Sequence, residues 1–168
     1  MTFAEFEKLP EQELRQELRH GEVVDMAPPK QGHKVFQRRM RRLLEVAAAE
    51  AGEVDSEVGF RPVSEHEYRI ADVAFVLKDR WVRIPSDGYL EGAPELVIEV
   101  LSPSNTATEM LDKKQICLDN GSLEFWVVDP KRCQVEVTSR EGRAATYRSG
   151  QQIPLFFGGS IAVDAIFK

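Results

Sequence analysis

The chain has 168 residues, a formal net charge of −6, and 42% hydrophobic against 30% charged residues. That length favours a single domain over 1–168 with a sizeable core, and the composition is that of an ordinary globular protein. The negative charge argues against a general nucleic-acid coat protein, and no apolar run approaches the roughly 20 residues that a membrane span needs. The N-terminal MTFAEFEKLPEQEL is too acidic for a signal peptide, so a cytoplasmic location is expected. Cys117 and Cys133 lack metal-ligand spacing and are expected as free thiols.

In chain order, residues 2–9 read as a short helix, because Thr2 and Glu5 have capping-box spacing. QELR and EVVDM read as two short strands around a turn at His20-Gly21, and Pro28-Pro29 stops further pairing. Residues 33–51 form the clearest amphipathic helix. Val35, Phe36, Met40, Leu43, Leu44, Ala47, Ala48 and Ala51 recur at helical spacing, and Gly52 is placed to end it. Strands are expected near 57–63 and over 70–77, with 79–92 as loop around Pro85, Gly88 and Gly92. After Pro94, ELVIEVL is an almost continuous apolar run with β-branched residues, the mark of a central strand.

A second helix is expected from Asn105-Thr106 to about Asp119, with Thr106 and Glu109 at capping-box spacing and Gly121 ending it. EFWVVDP and QVEVTS read as strands joined by a turn at 129–132, and ATYR and QQIPLFF as further strand-like pieces. No internal repeat or long linker divides the chain. Helix, strands, helix, strands predicts an α/β (α+β) fold, a mixed sheet with helices packed against it.

Glu99 interrupts LVIEVL, a run otherwise fit for burial on both faces. A buried carboxylate is costly unless it is neutral or has a cationic partner, and a divalent metal is one such partner. The bland counterpart is a strand-end Glu paired with an Arg or Lys. Asp72 repeats the pattern in IADVAFV, where alternation puts Ile70, Asp72, Ala74 and Val76 on one face. If the two strands are neighbours, Asp72 and Glu99 converge and make a site for Mg²⁺ or Mn²⁺, which prefer hard oxygen ligands. Ser102 and Ser104 suggest nucleophiles, but no His or Asp arrangement completes a triad, and turn and cap roles account for them.

One stretch, KQGHKVFQRRMRR over 30–42, holds Lys30, Lys34, Arg38, Arg39, Arg41 and Arg42 with no acid. The arginines cover several helix directions, so not all can face one ligand. A solvated face is the default, and the sharper expectation is phosphate contact by Lys34, Arg38 and Arg42, with His33 at the helix start.

GYLEGAPELVIEVLSPSNT, a helix, then EFWVVDP closely resembles a bacterial restriction endonuclease family (Uma-like) of the PD-(D/E)XK nuclease superfamily. ELRHGEVVDMAPP, GH opening a helix, GFRP and ADVAFV look like the same family pattern, so the resemblance runs from about Gln16 to Asp129.

The resemblance implies a restriction-endonuclease-like fold and a DNA endonuclease that uses Mg²⁺ or Mn²⁺. Asp72 takes the place of the Asp of the PD motif, and Glu99 that of the second acid, with the carbonyl of Val100 and Glu17 as further candidate metal ligands. Ala71 stands where Pro is usual, which leaves the ligand intact, and Leu101 stands where a standard motif has Lys. The lysine is then sought on the following helix. Comparison with the family favours Lys113. Face counting places Lys114 nearer the centre of the apolar side defined by Met110, Leu111, Cys117 and Leu118. A homodimer suits cutting of two strands. Two competing readings are a catalytically silent, nucleic-acid-binding or regulatory homodimer that keeps the fold, and an interaction module built on the apolar tail IPLFFGGSIAVDAIF.

Overall fold

The protein's computed structural model describes residues 1–63 and 65–168. The chain opens with α1 (Phe3–Phe6), the hairpin β1 (Gln16–Arg19) and β2 (Glu22–Asp25), and the long helix α2 (Gln31–Ala48). It continues through β3 (Gly52–Arg61), β4 (Arg69–Leu77), α3 (Lys78–Trp81), β5 (Leu90–Glu91), β6 (Leu96–Val100) and α4 (Ala107–Asp119). It closes with β7 (Glu124–Asp129), β8 (Gln134–Ser139), β9 (Ala144–Tyr147), β10 (Gln152–Pro154), β11 (Ser160–Ala162) and α5 (Val163–Phe167). Among the described residues no helix is long and apolar enough to cross a membrane.

Seven strands form one mixed sheet in the order β5-β3-β4-β6-β7-β8-β9. β6 and β7 run parallel with α4 as their crossover, while β4 lies antiparallel to β6. One face packs Met40, Leu44 and Ala48 of α2 and Val163 and Ile166 at the C-terminus against Val73, Phe75, Leu96, Ile98 and Val100. The other packs Cys117 and Leu118 of α4 against Ala74, Val76, Val97 and Phe125. This is the expected α+β architecture, with the ELVIEVL run buried on both faces at the centre of the sheet.

Local signals explain most element boundaries. Thr2 with Glu5, and Thr106 with Glu109, form complete capping boxes. His20 and Gly21 both have positive φ, 50° and 81°, as a tight primed hairpin turn requires. Two boundaries and the tail depart most from expectation. Helix α2 stops at Ala48, and Gly52 begins β3 rather than ending the helix. A Cβ on Gly52 would collide with the Val76 carbonyl and the Phe75 ring, so close strand approach is what requires glycine there. The expected loop begins with the single turn α3, pinned where Arg80 donates to the Ala93 carbonyl at 2.9 Å and to Glu95 at 2.7 Å.

The third departure concerns the tail. Ile153, Leu155, Ile161, Val163 and Ile166 are buried in the same cluster as α2 and the central strands. The interaction module expected on that tail therefore lacks its apolar surface. Phe156, 38% exposed, is the large hydrophobic side chain left outside.

Candidate metal and catalytic centre

The β4–β6 ladder pairs Phe75 with Leu96, Ala74 with Val97 and Val73 with Ile98, then stops. The next residues on each strand are Asp72 and Glu99, so the two acids sit where the strands part. Their bonding replaces the ladder. The Asp72 amide donates to Glu99 Oε2 at 2.8 Å, and the Val100 amide donates to Asp72 Oδ2 at 2.8 Å. On β6, Leu96, Ile98 and Val100 pack toward α2 and Val97 toward α4, so alternation aims Glu99 at α4.

Expected alternation along β4 does not survive intact. Ala71 joins Ala74 and Val76 in one cluster, while Ile70 packs with Phe3, Leu18 and Tyr68. The pairs Ser56–Val73 and Val58–Ala71 place Glu57 opposite Asp72, and Glu57 has φ +56°. A left-handed residue in one strand changes which way both strands present their side chains, and this one lies at the acids.

Lys113 is 7% exposed and reaches this point from α4. Its Nζ donates to the Ile70 carbonyl at 2.6 Å, lies 3.3 Å from Glu17 Oε1, and forms an ion pair with Glu99. Glu17 is fully buried. Its Oε1 also accepts the Ile70 amide at 2.9 Å, and its Oε2 accepts Arg19 Nε at 2.7 Å. Burial raises the Glu17 carboxyl, but Lys113 and Arg19 outweigh it and hold the group down at about 2. Burial, and then the nearby Asp72, push Glu99 up to about 7 against the opposing pull of Lys113. Burial lowers Lys113, yet Glu17, Glu99 and Asp72 together hold it above its ordinary value.

Lys114 points elsewhere and pairs with Glu136 of β8 at 3.2 Å. Face counting misjudged the helix because Leu111, taken as core, is 59% exposed. The buried residues of α4 are Lys113, Cys117 and Leu118, and what buries Lys113 is an ion network rather than an apolar patch.

From the α2 side, His33 Nε2 lies 3.3 Å from Asp72 Oδ1, and Gln37 Nε2 donates to the same oxygen at 3.3 Å. The hydrogen bond to Asp72 raises His33 above its ordinary value despite partial burial. Lys34, Arg38 and Arg42 are exposed on α2 and do not touch the acids.

Sequence reasoning passed over Gln37, whose signal was its place four residues after His33, one helical turn further along the same face. It also passed over a second network. His20 meets Glu67 through its amide and ring Nδ1, both at 2.8 Å, and Asp112 through Nε2 at 2.8 Å. Arg69, 1% exposed, donates to Glu67 at 2.8 Å and Asp112 at 2.9 Å. Asp112 precedes Lys113, so this ring fastens the turn of α4 that delivers the lysine.

The donor set fits a hard divalent ion. Asp72 and Glu99 supply carboxylate oxygens, and the bond from Val100 to Asp72 sets that residue's backbone beside them. Burial first, and then the neighbouring Asp72, disfavour the charged form of Glu99, and a cation in addition to Lys113 would relieve both. Among the described residues no three His, Cys, Asp or Glu side chains stand together as a ready cage.

The whole chain has a solved counterpart in a "putative nuclease belonging to DUF820" from Anabaena variabilis ATCC 29413. The two share 20% identity with a TM-score of 0.85, over 99% of this chain and 97% of that one, which establishes a common fold. No curated protein matches the chain. The family model described as "Uma2: Putative restriction endonuclease" matches residues 3–163, nearly the full length, and the chain belongs to that family.

Proposed function

We propose that this protein is a divalent-metal-dependent endonuclease that hydrolyses phosphodiester bonds in DNA. The observation that supports it best is the meeting of Asp72, Glu99 and the buried Lys113 where β4 and β6 part. Asp72, Glu99 and the Val100 carbonyl are the groups that would hold Mg²⁺ or Mn²⁺. When bound, such an ion polarises the scissile phosphate and makes a coordinated water acidic enough to act as nucleophile near neutral pH.

The remaining work belongs to the chain's own residues. Lys113 supplies a fixed positive charge beside Glu99, placed to offset negative charge that builds on the phosphate. Glu17 faces Lys113 and the Ile70 amide with Oε1 and Arg19 with Oε2, and is read as the group that holds Lys113 in place beside Glu99. His33 and Gln37 hold Asp72 Oδ1 from α2, and the Val100 amide holds Oδ2, which fixes the carboxylate plane before substrate arrives.

The test is incubation of plasmid and single-stranded DNA with Mg²⁺, Mn²⁺ or EDTA, beside Asp72→Ala and Glu99→Gln. Cleavage is expected only with metal and only in the unsubstituted protein. Undiminished cleavage by both variants would overturn the assignment.

A further inference from the structure

Six cations lie between Lys30 and Arg42, and the fold sorts them into two groups. Arg39 donates to the Ile166 carbonyl at 3.1 Å and stands over the Phe36 ring, so it fastens α2 to the C-terminus. Arg41 is paired with Glu45 at 2.8 Å and Asp55 at 3.2 Å. Lys30, Lys34, Arg38 and Arg42 are exposed and make no ion pair among the described residues.

Lys34, Arg38 and Arg42 recur at every fourth position of α2 and, with Lys30 at its N-cap, form one inclined ridge rather than a scatter. The neighbouring ridge carries His33 and Gln37, the two side chains that reach Asp72. The cationic ridge therefore passes the acids at its Lys30–Lys34 end and leads away from them toward Arg42. Four residues advance about 6 Å along a helix, which is close to the separation of neighbouring phosphates on one nucleic-acid strand. In a chain of net charge −6, one uncompensated line of positive charge beside the acids is the surface a polyanion would find.

We propose that this ridge is a track for one nucleic-acid strand on one side of the bond to be cut. Lys30, Lys34, Arg38 and Arg42 contact successive phosphates, and Arg39 and Arg41 do not take part. The proposal rests on the nuclease reading of Asp72 and Glu99. It adds that the substrate is held asymmetrically, by charge and without reading of bases.

The experiment measures fluorescence anisotropy of a labelled oligonucleotide, single-stranded and duplex, over a range of salt in EDTA. It compares the full chain with K30Q, K34Q, R38Q, R42Q and, as control, R41Q. All five positions are at the surface, so melting temperatures are expected to stay near the unsubstituted value. Each ridge variant should lower the slope of log affinity against log salt by about 0.7 on single strands and about 0.9 on duplex, and R41Q should leave it unchanged. In Mn²⁺, uncharged methylphosphonate linkages should impair cutting when placed on one side of the cleaved bond and not on the other.

Slopes that do not move, R41Q moving as far as the ridge variants, or a symmetrical methylphosphonate effect would each overturn the track. Manganese-dependent plasmid cleavage and its loss in Glu99→Gln read the nuclease assignment separately, so a failed track leaves that assignment standing. Absence of both binding and cleavage overturns both.

Discussion

The amide of Asp72 donates to the Glu99 carboxylate, and the amide next to Glu99, that of Val100, donates back to the Asp72 carboxylate, each at 2.8 Å. Beyond Val73 and Ile98 the β4–β6 ladder ends, and the two carboxylates take the amide bonds in place of carbonyl acceptors. The site acids are thereby held by main chain on both strands. That rigidity lets two carboxylates remain side by side in a buried place before any cation arrives.

This arrangement makes Glu99 a pH probe. Its carboxyl is pushed up to about 7 from an ordinary 4.5. A raised carboxyl contributes stability that is present below the unfolded value and lost as pH rises through the folded one. Glu99→Gln abolishes that titration. The melting temperature of the metal-free variant, relative to the unsubstituted protein, should therefore rise between about pH 5 and about pH 8. Calorimetry on the unsubstituted protein should show Mn²⁺ binding that strengthens across the same range, with proton release, and that disappears in the variant. A difference in melting temperature that stays flat with pH would remove Glu99 as the titrating group.

Lys113 and Lys114 should behave unlike one another. Lys113→Met strands Glu17 and Glu99 in a buried site, and losing one partner of such a set costs about 3–5 kcal/mol. Lys114→Met breaks a partly exposed pair with Glu136, for which about 0–1 kcal/mol is expected. In plasmid cleavage, Lys113→Met should lose about 10²–10³-fold, the scale of removing one preorganised charge stabiliser, while Lys114→Met stays near the unsubstituted rate. Urea denaturation and initial cleavage rates measure the two effects, and equal losses for the two lysines would contradict the geometry.

Glu57 is a backbone test. Its φ of +56° is a conformation that glycine adopts freely and β-branched residues resist. Its side chain forms a half-exposed pair with Arg15 at 3.0 Å, a surface interaction worth about 0–1 kcal/mol. Glu57→Gly should be neutral or stabilising by up to about 1 kcal/mol, and Glu57→Val destabilising by about 1–3 kcal/mol. Thermal denaturation of both variants decides it. Loss of stability in the glycine variant as large as in the valine variant would show that the side chain matters and the backbone conformation does not.

The C-terminal helix gives a packing test. Ile166 is fully buried against α2 and the sheet. Ile166→Ala should cost about 2–5 kcal/mol by chemical denaturation, as truncation of a core aliphatic does. A change in oligomeric state without loss of stability would restore the view of the tail as an interface.

Much of the fold was legible in the amino-acid order because its signals are local. Capping boxes at Thr2 and Thr106, the His20-Gly21 turn and the apolar runs at 70–77 and 95–101 depend on residues a few positions apart. Glu99 and Asp72 stood out for the same reason, as single acids in runs that burial would otherwise fill. Tertiary structure decided what those residues meet. Lys113 and Lys114 are adjacent in sequence, and only the placement of α4 over β6 sends the first to Glu99 and the second to Glu136. Gly52 looked like a helix stop until the strand beside it showed that a Cβ has no room. The apolar tail looked like free surface until the sheet supplied its other half. Each of these turns on atoms far apart in the chain, whose contacts exist only once the layers close. The order of residues proposed the two acids, and the parting of β4 from β6 brought them together.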